Sequence, residues 1–150
     1  MRDIVLVYMT KSGNTRLVAE AIADGVRSMD FTAHAVSLCD IRAEDLFTAD
    51  AIAIGSPTYE QRMLPTIEKF LEKLDRKKCA GKLGIAFGSY GWSGEAPICI
   101  AKKMRELGFE VLDPVMMVRY TPMEKDLEAC NLLGKGIALR LKNLRRQKVI

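Results

Sequence analysis

Three stretches of this 150-residue chain concentrate side chains able to hold a ligand. The first is Thr10-Lys11-Ser12-Gly13-Asn14-Thr15, which precedes a helical pattern. It offers three hydroxyls, an amide, one cation and a permissive glycine. A compact loop of this kind at a helix N-terminus surrounds a phosphate with donors. One lysine among neutral donors suits a monoester phosphate. The spacing is neither that of a Walker loop, Gly-x-x-x-x-Gly-Lys, nor that of the dinucleotide fingerprint Gly-x-Gly-x-x-Gly. The same residue types also form ordinary helix N-caps, and this loop alone fits both readings.

The second stretch is Ser56-Pro57-Thr58-Tyr59-Glu60-Gln61-Arg62, and the third is Ser89-Tyr90-Gly91-Trp92-Ser93-Gly94-Glu95. Together they hold the only tryptophan and two of the four tyrosines. Aromatic rings on loops, away from core stripes, need a partner surface. A flat heterocycle would supply one. Two loops packing on each other is the plainer alternative, and it accounts less well for three rings flanking a phosphate-type loop. A phosphate at one end and a flat ring at the other describe a mononucleotide.

The elements that must position these stretches read in alternation. Residues 3–8 form a continuous aliphatic run, as in a strand buried on both faces. Val18, Ile22 and Val26, with Ala19 and Ala23, share one helical face. Residues 31–38 and 51–54 read as the second and third strands. Leu64-Pro65 opens a helix with Ile67, Phe70, Leu71 and Leu74 inward. Residues 83–87 read as the fourth strand, ended by Gly88-Ser89. A helix with Ile100, Met104 and Leu107 inward then stops at Gly108. Residues 111–118 hold the fifth strand, and Pro114 marks an edge position or a bulge. The last helix runs from about Glu124 into the 140s, with Leu127, Cys130, Ile137, Leu141 and Leu144 on a stripe. This order predicts a doubly wound α/β fold, a parallel sheet with helices on both faces. Ligands of such sheets bind beyond the carboxyl ends of the strands, where the three stretches fall.

At 16.7 kDa the chain suits one domain spanning residues 1–150. No apolar run approaches the ~20 residues of a membrane span, and the N-terminus lacks an export-signal layout. A cytoplasmic protein without membrane attachment is the expectation. Cys39, Cys79, Cys99 and Cys130 contain no Cys-x-x-Cys pair and read as reduced thiols. His34, the single histidine, cannot complete a zinc cluster, so no metal is expected. It reads as a surface residue of an edge strand, and Met116-Met117 as packing. The net charge of +4 permits an acidic partner. Nucleic acid is not expected, because the aromatics sit in the ligand loops and not between basic residues.

At these residues the chain resembles a family. Residues 10–15 look like the phosphate loop of flavodoxins, Thr/Ser-x-Thr/Ser-Gly-Asn-Thr, and Gly55-Ser56-Pro57-Thr58 resembles their second flavin loop. Residues 88–96 are closer still to the flavodoxin-like domain of flavodiiron (A-type) flavoproteins. Tyr120-x-Pro122 and Asp126-Leu127-Glu128-x-Cys130 resemble that subgroup too. The resemblance covers nearly the whole chain. It implies a five-stranded flavodoxin-like sheet of order 2-1-3-4-5 and non-covalent FMN. Thr10, Lys11, Ser12, Gly13, Asn14 and Thr15 would hold the phosphate. Ser56, Pro57, Thr58, Tyr59, Glu60 and Gln61, with Ser89, Tyr90, Gly91, Trp92, Ser93 and Gly94, would hold the ring and ribityl chain. Tyr59 and Trp92 lead as stacking residues, with Tyr90 in reserve.

The chain also departs from the family. Flavodiiron proteins carry a separate metal domain, for which these residues leave no room, so di-iron chemistry is not expected of this chain alone. Tyr59-Glu60-Gln61-Arg62 stands where the subgroup has Asn and Gly after the Thr and where many flavodoxins have a glycine whose peptide can flip toward the reduced ring. A non-glycine residue makes a positive φ costly there, by ~1 kcal/mol or more. Typical flavodoxins are acidic, whereas this chain is basic. The resemblance implies an electron carrier with no catalytic acid, base or nucleophile. It would serve redox protein partners as a monomer or weak homodimer. An NAD(P)H-dependent FMN or quinone reductase on the same fold is the alternative, although no nicotinamide motif is visible. A phosphoacceptor domain is set aside, because the third strand ends in Gly55-Ser56 and not in Asp. The basic C-terminal residues, Arg145 and Arg146 among them, read as a solvated face or a docking patch for an acidic partner.

Overall fold

A computed structural model describes residues 3–59, 62–91, 94–112 and 116–149. Its strands are β1 (Ile4–Tyr8), β2 (Ala33–Ser37), β3 (Ala51–Gly55), β4 (Leu83–Tyr90), β5 (Glu110–Val111) and β6 (Met116–Arg119). They form one sheet of order β2-β1-β3-β4-β5, with β6 also paired to β4, and every pairing is parallel. The position of the expected fifth strand is filled by two short segments. Glu110–Val111 lie beside Leu83–Gly84, and Met116–Arg119 lie beside Phe87–Tyr90. Pro114, the residue expected to interrupt this strand, lies outside the described residues.

The principal helices are α1 (Asn14–Arg27), α3 (Pro65–Glu72), α5 (Glu95–Glu106) and α6 (Glu124–Val149), with single-turn helices α2 (Ala43–Leu46) and α4 (Arg76–Cys79) between them. Burial on both faces of β1 and β3 makes their sequences apolar at every position rather than alternating. One face of the sheet packs Val5, Val7, Ile52 and Ile54 against Ile67 and Leu71 of α3 and Ile100 and Met104 of α5. The other packs Ile4, Leu6, Ala51 and Ala53 with Val18 and Ile22 of α1 and Ile137 and Leu141 of α6. Two expected core residues fall short. Leu127 is 37% exposed and Met117 is 41% exposed. Leu127 lies on the predicted stripe, but the 26-residue α6 outruns the 14-residue α1 against which it packs. His34 is half-buried in β2, the edge strand.

Candidate functional site

Because every strand runs the same way, the segments following β1, β3 and β4 emerge at one end of the sheet. Hydrogen bonds tie them together. Thr15, at the start of α1, is fully buried, and its hydroxyl lies 2.9 Å from that of Ser89 in β4. The N–H of Thr58 donates to the Ser89 carbonyl at 2.9 Å. The Thr58 hydroxyl accepts from the N–H of Ala96 at 3.1 Å, which fixes the second segment against the first turn of α5. Ser56 is buried, donates to its neighbour Pro57 and accepts from the N–H of Leu64.

The first segment is left open where it matters for an anion. The hydroxyl of Thr10 accepts from the N–H of Gly13, closing a tight turn. Gly13 has φ 89°, a left-handed conformation that favours glycine. No side chain caps α1, and nothing lies within 4 Å of where a Cβ on Gly13 would be. The first N–H groups of a helix have no intrahelical acceptor and carry its positive dipole end. Here no side chain supplies that acceptor, so the capping alternative of Ser/Thr/Asn side chains is not what the structure adopts.

The second segment doubles back on itself. Tyr59 and Arg62 exchange backbone hydrogen bonds of 2.8 and 3.1 Å across an antiparallel bridge, and Arg62 pairs with Glu68 of α3 at 2.6 Å. Tyr59 is 43% exposed, and the Lys11 ammonium sits 3.7 Å from its ring centroid. The only cation of the first segment therefore stands on the leading aromatic of the second. Tyr59 is not among the described residues with positive φ. Glu60 and Gln61, at the position of the glycine question, lie outside the described residues, as do Trp92 and Ser93.

The third segment differs from expectation. Ser89 and Tyr90 are the last residues of β4, not a loop, because β6 continues the ladder past Gly88. Tyr90 is half-buried, and its ring lies beside Gly94 together with the Met117 sulfur. Two residues missed from the expected set border this segment. Tyr120 has φ 56°, unusual for a bulky residue. Its N–H donates to the Tyr90 carbonyl at 2.6 Å, and its ring is the nearest group to a Cβ placed on Gly91. It is 57% exposed. Its signal in the sequence was an aromatic ring directly after a strand, at the ligand end. The second is Glu95, the first residue of α5, whose Oε2 is buried with no hydrogen-bond partner among the described residues.

The opposite end of the sheet is held by ion pairs and hydrogen bonds. Arg145 of α6 donates to Asp3 at 2.5 Å and to Asp50 at 2.6 Å, and lies over the Phe31 ring. Burial pushes the Asp3 carboxyl up, but hydrogen bonds from Thr32 and Arg145 outweigh it and hold the group below the ordinary carboxylate range. The bonds to Asp50 and then Asp3 raise Arg145 in turn. Arg145 thus ties helix to sheet at the end remote from the three segments while remaining exposed, which adds a structural role to its reading as a surface residue. Cys79 and Cys130 are buried free thiols, and burial, aided by Asp75 and Asp126 respectively, pushes each up to about 11. Among the described residues no group of acidic, histidine or cysteine side chains is arranged to hold a metal, and no helix is long and apolar enough to cross a membrane.

Fold and site together define a doubly wound mononucleotide-binding α/β protein. The chain matches the flavodoxin family over residues 6–134 and belongs to it. It superposes on the structure of an archaeal flavodoxin with a TM-score of 0.89 and 46% identity, covering 93% of this chain and 98% of that one. A putative diflavin flavoprotein A 2 of Thermosynechococcus vestitus is 32% identical over 98% of the chain. The anaerobic nitric oxide reductase flavorubredoxin of Pectobacterium carotovorum is 32% identical over 90% of it. The chain spans only 26% and 28% of the length of those two relatives. It is an FMN-binding electron-transfer protein of the flavodoxin-like fold. The residues present fit that cofactor on two counts: neutral donors around an uncapped helix end for a phosphate, and an acceptor at Glu95 without a donor among the described residues.

Proposed function

We propose that residues 1–150 act as one electron-carrying unit whose FMN sits across the three segments. Thr10, Ser12, Gly13, Asn14 and Thr15, with the backbone N–H of Lys11, hold the phosphate. Ser56 to Gln61 and Ser89 to Gly94 hold the ring and ribityl chain, with Tyr59 and Trp92 against the ring. The observation that carries this reading is the uncapped N-terminus of α1 over left-handed Gly13, joined to the other segments through Thr15, Ser89 and Thr58. Bound flavin supplies the redox chemistry, and the protein sets its potential and leaves an edge accessible.

The side chains do the remaining work. Thr15 and Ser89 lock the phosphate segment to the ring segment, so the two ends of the cofactor are held at a fixed separation. Lys11, placed over Tyr59, brings a positive charge to the ring end, which favours negative charge on the reduced cofactor. No proton donor or nucleophile is required. The chain exchanges electrons with soluble redox proteins as a monomer or weak homodimer in the cytoplasm. Anaerobic titration with FMN followed by stepwise reduction tests this. The expected result is quenched flavin fluorescence at one FMN per chain and no rapid NADPH oxidation by the holoprotein alone. Unquenched FMN would refute the site, and rapid NADPH oxidation would establish a reductase instead.

A further inference from the structure

We infer that Glu95 binds the flavin directly, its Oε2 accepting a hydrogen bond from an N–H or O–H that arrives with the cofactor. The inference rests on the three segments being the flavin site and adds to it a residue outside the phosphate, ring and ribityl set named above. Buried polar atoms in native proteins are almost always paired, and each exception needs a reason. A carboxylate oxygen cut off from water and left without a donor is costly, more so than a neutral group. Glu95 Oε2 is such an atom.

The surroundings narrow the donor. Glu95 opens α5, where a negative side chain is favoured by the helix dipole, so the charge itself is well placed. The adjacent N–H of Ala96 is already taken by Thr58, and that bond presses the second segment against this turn. On the other side, Gly94 is flanked by the Tyr90 ring and the Met117 sulfur, neither of which offers a strong donor at that face. Glu95 therefore stands where the second and third segments meet, the region proposed for the ring and ribityl chain. Flavin offers two kinds of donor there: the ring N3–H and the ribityl hydroxyls. A phosphate offers none at neutral pH, so Glu95 acts on the part of the cofactor that FMN and riboflavin share.

The test measures dissociation constants of FMN, riboflavin and lumiflavin, which lacks the ribityl chain, by fluorescence quenching for wild type, Glu95→Gln and Glu95→Leu. Hydrogen bonds to a charged acceptor are about twice as strong as neutral ones. Glu95→Leu is expected to weaken FMN and riboflavin by the same factor, about tenfold or more, and Glu95→Gln by about threefold. Should the Leu variant fail to fold, the Gln variant carries the comparison. A loss that persists with lumiflavin assigns the bond to N3–H, and a loss that disappears with lumiflavin assigns it to a ribityl hydroxyl. Either supports the inference. Affinities within twofold of wild type in both variants, or a loss seen with FMN and spared with riboflavin, would overturn it while leaving the flavin site standing. Failure of the wild-type chain to quench FMN would remove the site and the inference together.

Discussion

At one end of the sheet, Asp3, Thr32, Asp50 and Arg145 satisfy one another through bonds of 2.5–3.1 Å, and Lys82 donates to the Ala49 carbonyl. At the other, α1 begins without a side-chain cap, Glu95 Oε2 has no described donor, and Tyr59 and Tyr120 are partly exposed. Both ends belong to the same strands and the same core. The difference separates two uses of polar groups. Where donors and acceptors close on themselves, they hold the last helix to the sheet. Where they are left open around a fixed scaffold, they are available to a ligand, at some expense to the ligand-free fold. Arg145 shows why charge alone misleads: it is basic and surface-lying, yet its guanidinium is engaged.

This contrast can be broken in order of expected effect. A Cβ at Gly88 would fall on the Ser56 carbonyl oxygen, between β4 and the second segment. Gly88→Ala should destabilise the protein by about 3 kcal/mol and also abolish tight FMN binding, measured by urea unfolding and fluorescence titration. Asp3→Ala acts at the closed end. It should cost about 2 kcal/mol through the lost Thr32 and Arg145 bonds, yet leave FMN affinity within twofold. Thr15→Val acts at the open end, leaving the Ser89 hydroxyl unpaired. It should lower FMN affinity about tenfold, or ~1.4 kcal/mol, with a smaller loss of stability. Lys11→Met should make full reduction harder by about 1 kcal/mol, read as a lower potential in an anaerobic titration.

The smallest effect is pH dependence, and it belongs to the closed end and the core. Asp3 has a lowered folded value, so its contribution is present above the unfolded carboxylate value, ~3.9, and is lost as pH falls through the folded one. Cys79 and Cys130 are raised to about 11, so their neutral burial stabilises fully below the unfolded thiol value and less as pH climbs from there. Urea midpoints should therefore drop below pH 4 and above pH 9. Replacing both cysteines by Ala should flatten the alkaline limb, and an unchanged limb would contradict the assignment.

Much of the fold was legible because it rests on local periodicity. Val18, Ile22 and Val26 announce the buried face of α1, and the unbroken apolar runs of β1 and β3 announce a sheet covered on both sides. The phosphate segment was legible for a similar reason, since its residues are contiguous. What local pattern could not supply is anything settled by distant partners. Arg145 meets Asp3 across 142 positions of sequence. Gly88-Ser89 looked like the end of a strand because the extension depends on pairing with β6. Tyr120 and Glu95 gain meaning from what they touch or fail to touch, which spacing does not encode.

The central claim is that ligand binding is confined to the open end. Amide hydrogen exchange with and without FMN tests it most directly. Bound FMN should slow exchange in residues 10–15, 56–62 and 89–96, with the amides around Asp3, Thr32 and Asp50 unchanged. Protection centred on the Arg145 end, or none at residues 10–15, would contradict it.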